Sequence, residues 1–109
     1  MSRVLVVEDE PSILRLMVRA LTEAGLEVIG AMRVADVRAI NPGWRPDALV
    51  VDLGLPNGTV ADVANMYPGV PSLIISGRMT GPSVRVDLPK PFAMSTLTHR
   101  VEQLLGIET

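Results

Sequence analysis

Short apolar runs alternate with amphipathic stretches along this chain, and that alternation strongly limits the folds open to it. Short apolar runs are typical of strands, whereas apolar residues three and four positions apart are typical of helices. Regular alternation of the two is the pattern of βα units around a parallel sheet. We therefore predict an α/β fold with strands over residues 3–8, 27–31, 48–52, 72–76 and 84–88.

Helices are predicted between these strands and after the last one. The first begins at Pro11, because proline suits the first turn of a helix, and it ends before Gly25. Thr59 and Asp62 are spaced as a capping pair for a later helix. The remaining helical patterns cover residues 34–40, 60–66 and 94–105.

The connection between the fourth and fifth strands is unusually short. Thirteen residues separate Ser76 from Lys90, and Gly81-Pro82 interrupts them. Proline and glycine both disfavour the interior of a helix. We predict that residues 79–83 hold no ordinary helix, so the helix expected after the fourth strand is shortened or missing.

Composition excludes several classes of function. The chain has 109 residues, of which 48% are apolar and 20% charged, which predicts one globular domain over residues 1–109. It has no cysteine, which excludes disulfides and thiolate chemistry. No apolar stretch is long enough to span a bilayer, and the net charge is −2. We expect a cytoplasmic protein that binds neither membranes nor nucleic acid directly.

Polar residues follow four of the five predicted strands. They are Glu8-Asp9-Glu10, Asp52, Ser76 and Lys90. Open parallel sheets bind ligands beyond the carboxyl ends of their strands, so these residues are the candidate site. Lys90 is the only lysine among ten basic residues. Because the lysine ammonium is a compact point charge and the arginine guanidinium a wide planar fork, a lysine here indicates a position that needs a compact cationic side chain.

The chemistry of these residues is coherent if the strand ends meet. Glu8, Asp9 and Asp52 would then repel one another by about 3 kcal/mol per pair, at about 5 Å and an effective dielectric of about 20. A hard divalent cation such as Mg²⁺ would offset that repulsion. A carboxylate is also a competent nucleophile toward activated phosphorus. The Ser76 hydroxyl and the Lys90 ammonium could bind the oxygens of the product.

Four motifs in this order resemble the receiver domains of two-component signalling, also called response-regulator receivers. They are Glu8-Asp9-Glu10-Pro11 after an apolar run, the segment 46–56 containing Asp52, Ile-Ile-Ser76-Gly77, and Leu-Pro-Lys90-Pro91-Phe92. The resemblance covers essentially the whole chain. It implies a doubly wound, flavodoxin-like sheet of five parallel strands in the order 2-1-3-4-5, which would bring the four strand ends together.

The resemblance also implies an acceptor and a metal site. Asp52 would be the phosphoacceptor, taking a phosphoryl group from a phosphohistidine. Asp9, Asp52 and the backbone carbonyl of Gly54 would bind Mg²⁺ directly, and Glu8 would act mainly through water. The donor would be a sensor histidine kinase or a histidine phosphotransfer protein.

Further roles implied by the resemblance concern the phosphorylated state. Ser76 and Lys90 would bind the acyl phosphate, Gly77 would keep the approach open, and the Lys90–Pro91 bond would be cis. The chain would be a receiver without an output domain, and not an enzyme beyond its own phosphorylation and dephosphorylation. It would act through an unknown protein target or as a phosphoryl sink.

The chain departs from the family in the region of its fourth helix and fifth strand. Three positions before Lys90, where the family usually has tyrosine or phenylalanine, this chain has Asp87. The family commonly dimerises or contacts targets through this face. The altered face could therefore support a homodimer, while the usual aromatic relay is absent.

Two other interpretations compete with a phosphoacceptor. A receiver-shaped interaction module would bind its partner constitutively, without need of phosphorylation. A haloacid-dehalogenase-like phosphatase also uses an aspartate nucleophile, but it needs a second aspartate two residues later. Gly54 holds that position after Asp52, and Pro11 holds it after Asp9. The only histidine, His99, is predicted to be solvated on the last helix.

Overall fold

The computed structural model describes residues 1–77 and 84–107 and shows a five-stranded parallel sheet. The strand order is 2-1-3-4-5, as the resemblance implied. Helices connect consecutive strands in the described part of the chain, except between the fourth and fifth. The elements are β1 (Arg3–Val7), α1 (Pro11–Glu23), β2 (Glu27–Ala31), α2 (Val34–Arg38), β3 (Ala48–Asp52), α3 (Val60–Ala64), β4 (Ser72–Ser76), β5 (Leu88–Pro89) and α4 (Met94–Leu105).

The sheet is covered on both faces, which explains why its central strands are apolar throughout. Helices α1 and α4 cover one face and α2 and α3 the other. The first face buries residues such as Val6, Met17 and Leu97, whereas the second buries Leu5 and Val37. Successive residues of β1 therefore enter opposite cores, because side chains alternate across a strand.

Helix α1 begins and ends as the sequence predicts. Pro11 lies in its first turn, and Gly25 follows its end with a φ of 91°. This left-handed conformation favours glycine because it has no Cβ. The Leu26 N–H donates to the Leu21 carbonyl at 3.2 Å, and the Gly25 N–H to that of Thr22 at 3.0 Å. These two bonds form a Schellman motif that directs the chain into β2.

The start of α3 is fixed by the predicted capping pair. The Asp62 N–H donates to Thr59 Oγ1 at 3.1 Å, and the Thr59 N–H donates to Asp62 Oδ2 at 2.8 Å. Just before this cap, Gly58 lies against Val34 at the start of α2, where a Cβ would overlap the valine side chain. Glycine at position 58 therefore lets the β3–α3 loop pass close to α2.

The predicted fifth strand is present, but its predicted range of residues 84–88 is wrong, because β5 comprises only Leu88–Pro89. Side chains form hydrogen bonds with the β4 backbone groups that the backbone of a longer β5 would otherwise pair with. Asp87 Oδ2 accepts a hydrogen bond from the Ile74 N–H at 2.8 Å, and Arg85 Nη2 donates to the Ser72 carbonyl at 2.7 Å. The ladder therefore starts only after Asp87, whose own N–H donates to the Ile74 carbonyl at 2.8 Å.

The other predicted elements agree with the structure to within a few residues at their ends. The strand 3–8 ends at Val7, and the helices 34–40 and 60–66 end at Arg38 and Ala64. Residue 77 and residues 84–87, the described part of the connection between β4 and β5, form no helix. The segment 79–83, on which the shortened-helix prediction chiefly rests, lies outside the described residues.

The contact between Gly58 and Val34 gives a stability prediction. Gly58→Ala should lower the free energy of unfolding by about 1–3 kcal/mol, because the added methyl group overpacks the α2 start. Gly54→Ala is the matched control, since a Cβ there meets only Asp52 Oδ1, at an ordinary 3.5 Å. Urea unfolding of both variants tests this. Equal stability of the two would contradict the proposed close approach.

Candidate functional site

Four strand ends bring the predicted site residues to one edge of the sheet. Asp52 and Ser76 are the last residues of β3 and β4, Glu8 follows β1, and Lys90 follows β5. Because β1 pairs with β3, β3 with β4 and β4 with β5, these ends are neighbours. They surround a cleft of about 270 Å³ that is lined by Asp9, Glu10, Asp52, Gly54, Ser76, Gly77 and Lys90.

Three carboxylates meet at this cleft. One oxygen each of Glu8, Asp9 and Asp52 lies within 4.8 Å of the others. Glu8 is completely buried and Asp52 is 5% exposed, whereas Asp9 is open to solvent. Such a group of oxygen ligands, open on one side, suits a hard cation that keeps part of its water shell.

Lys90 supplies a positive charge in contact with two of these carboxylates. Its Nζ forms an ion pair with Glu8 Oε1 and lies 3.0 Å from Asp52 Oδ2. The backbone holds it there, because the Lys90 N–H donates to the Ser76 carbonyl at 2.8 Å. Burial lowers the pKa of Lys90, but its bonds to the two carboxylates outweigh that effect and raise the pKa above its usual value. The side chain is therefore an ammonium at neutral pH.

The two buried carboxyls differ in their affinity for protons. Burial and the hydrogen bond with Asp52 raise the pKa of Glu8 to about 7, although Lys90 opposes the increase. Burial also favours a higher pKa for Asp52, but contacts with Glu8, the Gly54 N–H and Lys90 hold it below its ordinary value. Asp52 is thus ionised at neutral pH, which is the form a nucleophilic carboxylate needs.

Backbone groups orient the two buried carboxylates. The Gly54 N–H donates to Asp52 Oδ1 at 2.9 Å, and the Glu10 N–H donates to Glu8 Oε2 at 3.3 Å. Glu8 Oε1 makes no hydrogen bond of ordinary geometry with the described residues, and its partner is the Lys90 ammonium. A buried carboxylate oxygen in this position fits a cation site at the same cleft.

The remaining predicted site residues lie at or beside the same cleft. Ser76 is 2% exposed and lines the cleft. At Gly77 a Cβ would lie 3.4 Å from Lys90 Cδ, an ordinary contact distance, so the role implied for glycine here stays a prediction. The Lys90–Pro91 peptide bond is cis, as the resemblance implied.

The structure places Glu10 at the predicted site and adds a cluster around Asp87 that the sequence analysis did not describe. Glu10 lines the cleft, although no metal role was predicted for it. Arg85 Nε donates to Asp87 Oδ1 at 3.0 Å, and Arg100 Nη1 donates to the Asp87 carbonyl at 3.0 Å. The spacing of Arg85 and Asp87, two positions apart in an extended segment, is the only sequence signal for this cluster. His99 is exposed on α4, consistent with the predicted solvated position.

Comparison with known proteins begins with sequence. No protein-family profile matches the chain. It is 33% identical to the transcriptional regulatory protein PrrA of Mycobacterium tuberculosis, over 94% of this chain and 49% of that protein. It is 34% identical to the transcriptional regulatory protein KdpE of the same species, over 93% and 50%. The chain therefore spans about half the length of these relatives.

Among the described residues, no helix has both the length and the apolar character needed to cross a membrane.

The chain covers nearly the full length of two solved structures that it matches. The receiver domain of the hybrid histidine kinase CckA is 32% identical, with a TM-score of 0.80 over 95% of this chain and 99% of that one. The non-phosphorylated HemR receiver domain of Leptospira biflexa has a TM-score of 0.82 at 21% identity, a likeness of fold alone. The strand ends converge, and the chain covers 99% of the CckA receiver at 32% identity. These findings show that this chain belongs to the response-regulator receiver domains.

Proposed function

We propose that this chain is a phosphoacceptor receiver of a two-component phosphorelay and that Asp52 accepts the phosphoryl group. The observation that carries the proposal is the position of the Asp52 carboxyl group, which lines an open cleft, contacts the Lys90 ammonium at 3.0 Å and lies close to the acids Glu8 and Asp9. The donor is a phosphohistidine on a sensor histidine kinase or histidine phosphotransfer protein. The CckA receiver, which belongs to a hybrid histidine kinase, supports a donor of this class.

The reaction uses the groups at the cleft in a simple order. An Asp52 carboxylate oxygen attacks the phosphorus, the P–N bond breaks, and the electron pair returns to the donor imidazole. Glu8, Asp9, Asp52 and the Gly54 carbonyl would hold Mg²⁺, which when bound neutralises charge and orients the phosphoryl group. Water later hydrolyses the acyl phosphate, so the chain returns to its initial state without acting on another substrate.

Phosphorylation would change the partners of Lys90 and Ser76. Lys90 now contacts Glu8 and Asp52, and a phosphoryl oxygen would compete for its ammonium. Charge-assisted hydrogen bonds from Lys90 and Ser76 contribute about 1.5–3 kcal/mol each. A shift from about 1:99 to about 99:1 between two conformations needs roughly 5.5 kcal/mol. The two bonds barely reach this value, so a protein target that prefers the phosphorylated form would complete the shift.

A receiver-shaped interaction module is a second candidate, and one specific observation favours it. Asp87 holds the position where the family has a mobile aromatic residue, yet its groups are bonded to Ile74, Arg85 and Arg100. Bonds to three residues on different segments restrict its movement. In this alternative the face around β5 and α4 binds a partner, or a second copy of the chain, whether or not Asp52 is modified.

Covalent labelling tests the first proposal directly. Incubation with acetyl phosphate and Mg²⁺ should add one phosphoryl group to the wild-type chain, because acetyl phosphate is an activated donor. Asp52→Asn should remain unlabelled, because an amide is a poor nucleophile. Asp47→Asn, just before the same strand, is the matched control and should be labelled normally. Intact-mass spectrometry gives the result, and an unlabelled wild type would refute the proposal.

The proton on Glu8 predicts how magnesium binding depends on pH. Cation binding favours the deprotonated carboxylate, and the pKa of Glu8 is raised to about 7. Affinity should therefore rise about tenfold between about pH 6 and about pH 8, then level off. Amide NMR titrations following Asp9 and Gly54 measure it. Glu8→Gln should bind more weakly and lose this pH dependence. An unchanged pH profile in that variant would assign the proton elsewhere.

The two candidates differ in what a phosphoryl mimic should do at Asp87. Under the interaction-module proposal, beryllofluoride with Mg²⁺ should shift amide resonances at Asp9, Gly54 and Lys90 but leave those of Ile74 and Asp87 in place. If modification of Asp52 instead changes the conformation around β5, the amide resonances of both groups of residues should shift. Asp52→Asn is the control, since it removes the carboxylate that beryllofluoride needs. A large shift at Asp87 would rule out the constitutive alternative.

A further inference from the structure

A second groove lies at the opposite end of the sheet from Asp52. It forms where α2 and α3 end and encloses about 290 Å³. Its walls carry Arg38 from the last turn of α2, Arg45 from the loop before β3, and Tyr67 from the segment before β4. These segments lead into the amino ends of β3 and β4. The groove therefore shares no residue with the acidic cleft.

The floor of this groove is apolar and already packed. Val37 is 2% exposed and belongs to the core between the sheet and the helices α2 and α3. Ile40, Met66 and Tyr67 pack against the same core. A ligand would therefore meet a preformed surface rather than loops that must first be ordered, which reduces the entropic cost of binding.

The charged groups that line the groove are both arginines, and neither pairs with another residue that the structure describes. Among the arginines that the structure describes, only Arg15, Arg38 and Arg45 make neither an ion pair nor a side-chain hydrogen bond with another described residue, and two of these three line this groove. No carboxylate from residues 1–77 or 84–107 lines it. The nearby Asp36 is paired with Arg33, and Asp47 Oδ2 accepts the Arg3 N–H.

Two smaller effects act on the same groove. The carboxyl ends of α2 and α3 point toward it and carry partial negative charge, but each helix has only five residues, so this effect is weaker than two full charges. Burial raises the pKa of Tyr67, although Arg45 opposes the increase. The Tyr67 hydroxyl is thus protonated at neutral pH and can donate a hydrogen bond to an anion.

We propose that this groove binds a small organic anion, namely an aryl or heteroaryl phosphate or carboxylate. The flat body of the ligand packs on Ile40, Met66 and the Tyr67 ring, and its anionic group pairs with Arg38 and Arg45. Arginine suits this task because its planar fork matches phosphate and carboxylate oxygens. The site is separate from Asp52 and goes beyond the proposed phosphoacceptor function.

Naphthyl phosphate is the probe for this site. It is titrated into the isotope-labelled full chain in the presence of EDTA, so that no metal draws it to the acidic cleft. Saturable amide shifts are expected at Arg38, Ile40, Arg45, Met66 and Tyr67. Inorganic phosphate has the charge without the flat body, and naphthol the body without the charge. Each should bind about tenfold more weakly than the probe if both parts contribute.

Arginine variants supply the matched controls. Arg38→Gln and Arg45→Gln should each weaken naphthyl phosphate binding by about three- to fivefold, the scale of an exposed ion pair. Arg15→Gln removes an equally unpaired charge from a separate groove on α1 and should change nothing. Asp52→Asn should also bind normally, although it abolishes phosphorylation. Three results would overturn the proposal: shifts at the α1 groove instead, no saturation at millimolar probe, or equal losses in all three arginine variants.

Discussion

The site depends on the pairing of one ammonium with two buried carboxylates. Glu8 is fully buried and Asp52 nearly so, and an unpaired charge in either position would be costly. Lys90 Nζ reaches both, but only because β5 pairs with β4 and because the Lys90 N–H bonds to the Ser76 carbonyl. A strand of two residues is therefore enough to complete the site. Burial favours a higher pKa for Asp52, but contacts with Glu8, the Gly54 N–H and Lys90 hold that pKa below its ordinary value, whereas burial raises the pKa of Glu8 to about 7.

The shortness of β5 has consequences for signalling. Side chains of Arg85 and Asp87 occupy β4 groups that a longer strand would use, and Arg100 ties the Asp87 carbonyl to α4. A cluster of charged groups thus occupies the place where the family resemblance led us to expect an aromatic residue. In the function proposed above, the acceptor chemistry and the output surface are therefore separable. The first needs the convergence of four strand ends, and the second depends on the segment between β4 and α4.

The two ends of the sheet offer opposite charge to a ligand. The carboxyl end concentrates acids around one lysine and suits a cation together with a phosphoryl group. The amino end presents, over an apolar floor, two arginines that pair with no described residue, and it suits an organic anion. Core residues link the two, since Val37 beneath the arginines belongs to the same cluster as Val51, the neighbour of Asp52. A molecule bound at the amino end would therefore rest on the same core that supports the phosphoacceptor strand.

Much of this structure follows from the sequence, because the hydrophobic period of a segment and its capping residues are local properties. The apolar run at residues 48–52, the proline and glycine around α1, and the capping pair at Thr59 and Asp62 determine their elements directly. The strand order and the meeting of Glu8, Asp52, Ser76 and Lys90 came from a family resemblance, since periodicity alone cannot order strands. Only the tertiary structure decided that Asp87 and Arg85 replace part of β5 and that Arg38 and Arg45 share a groove. These outcomes rest on contacts between segments far apart in the chain, and no local pattern encodes which distant backbone or side chain a charged residue will meet.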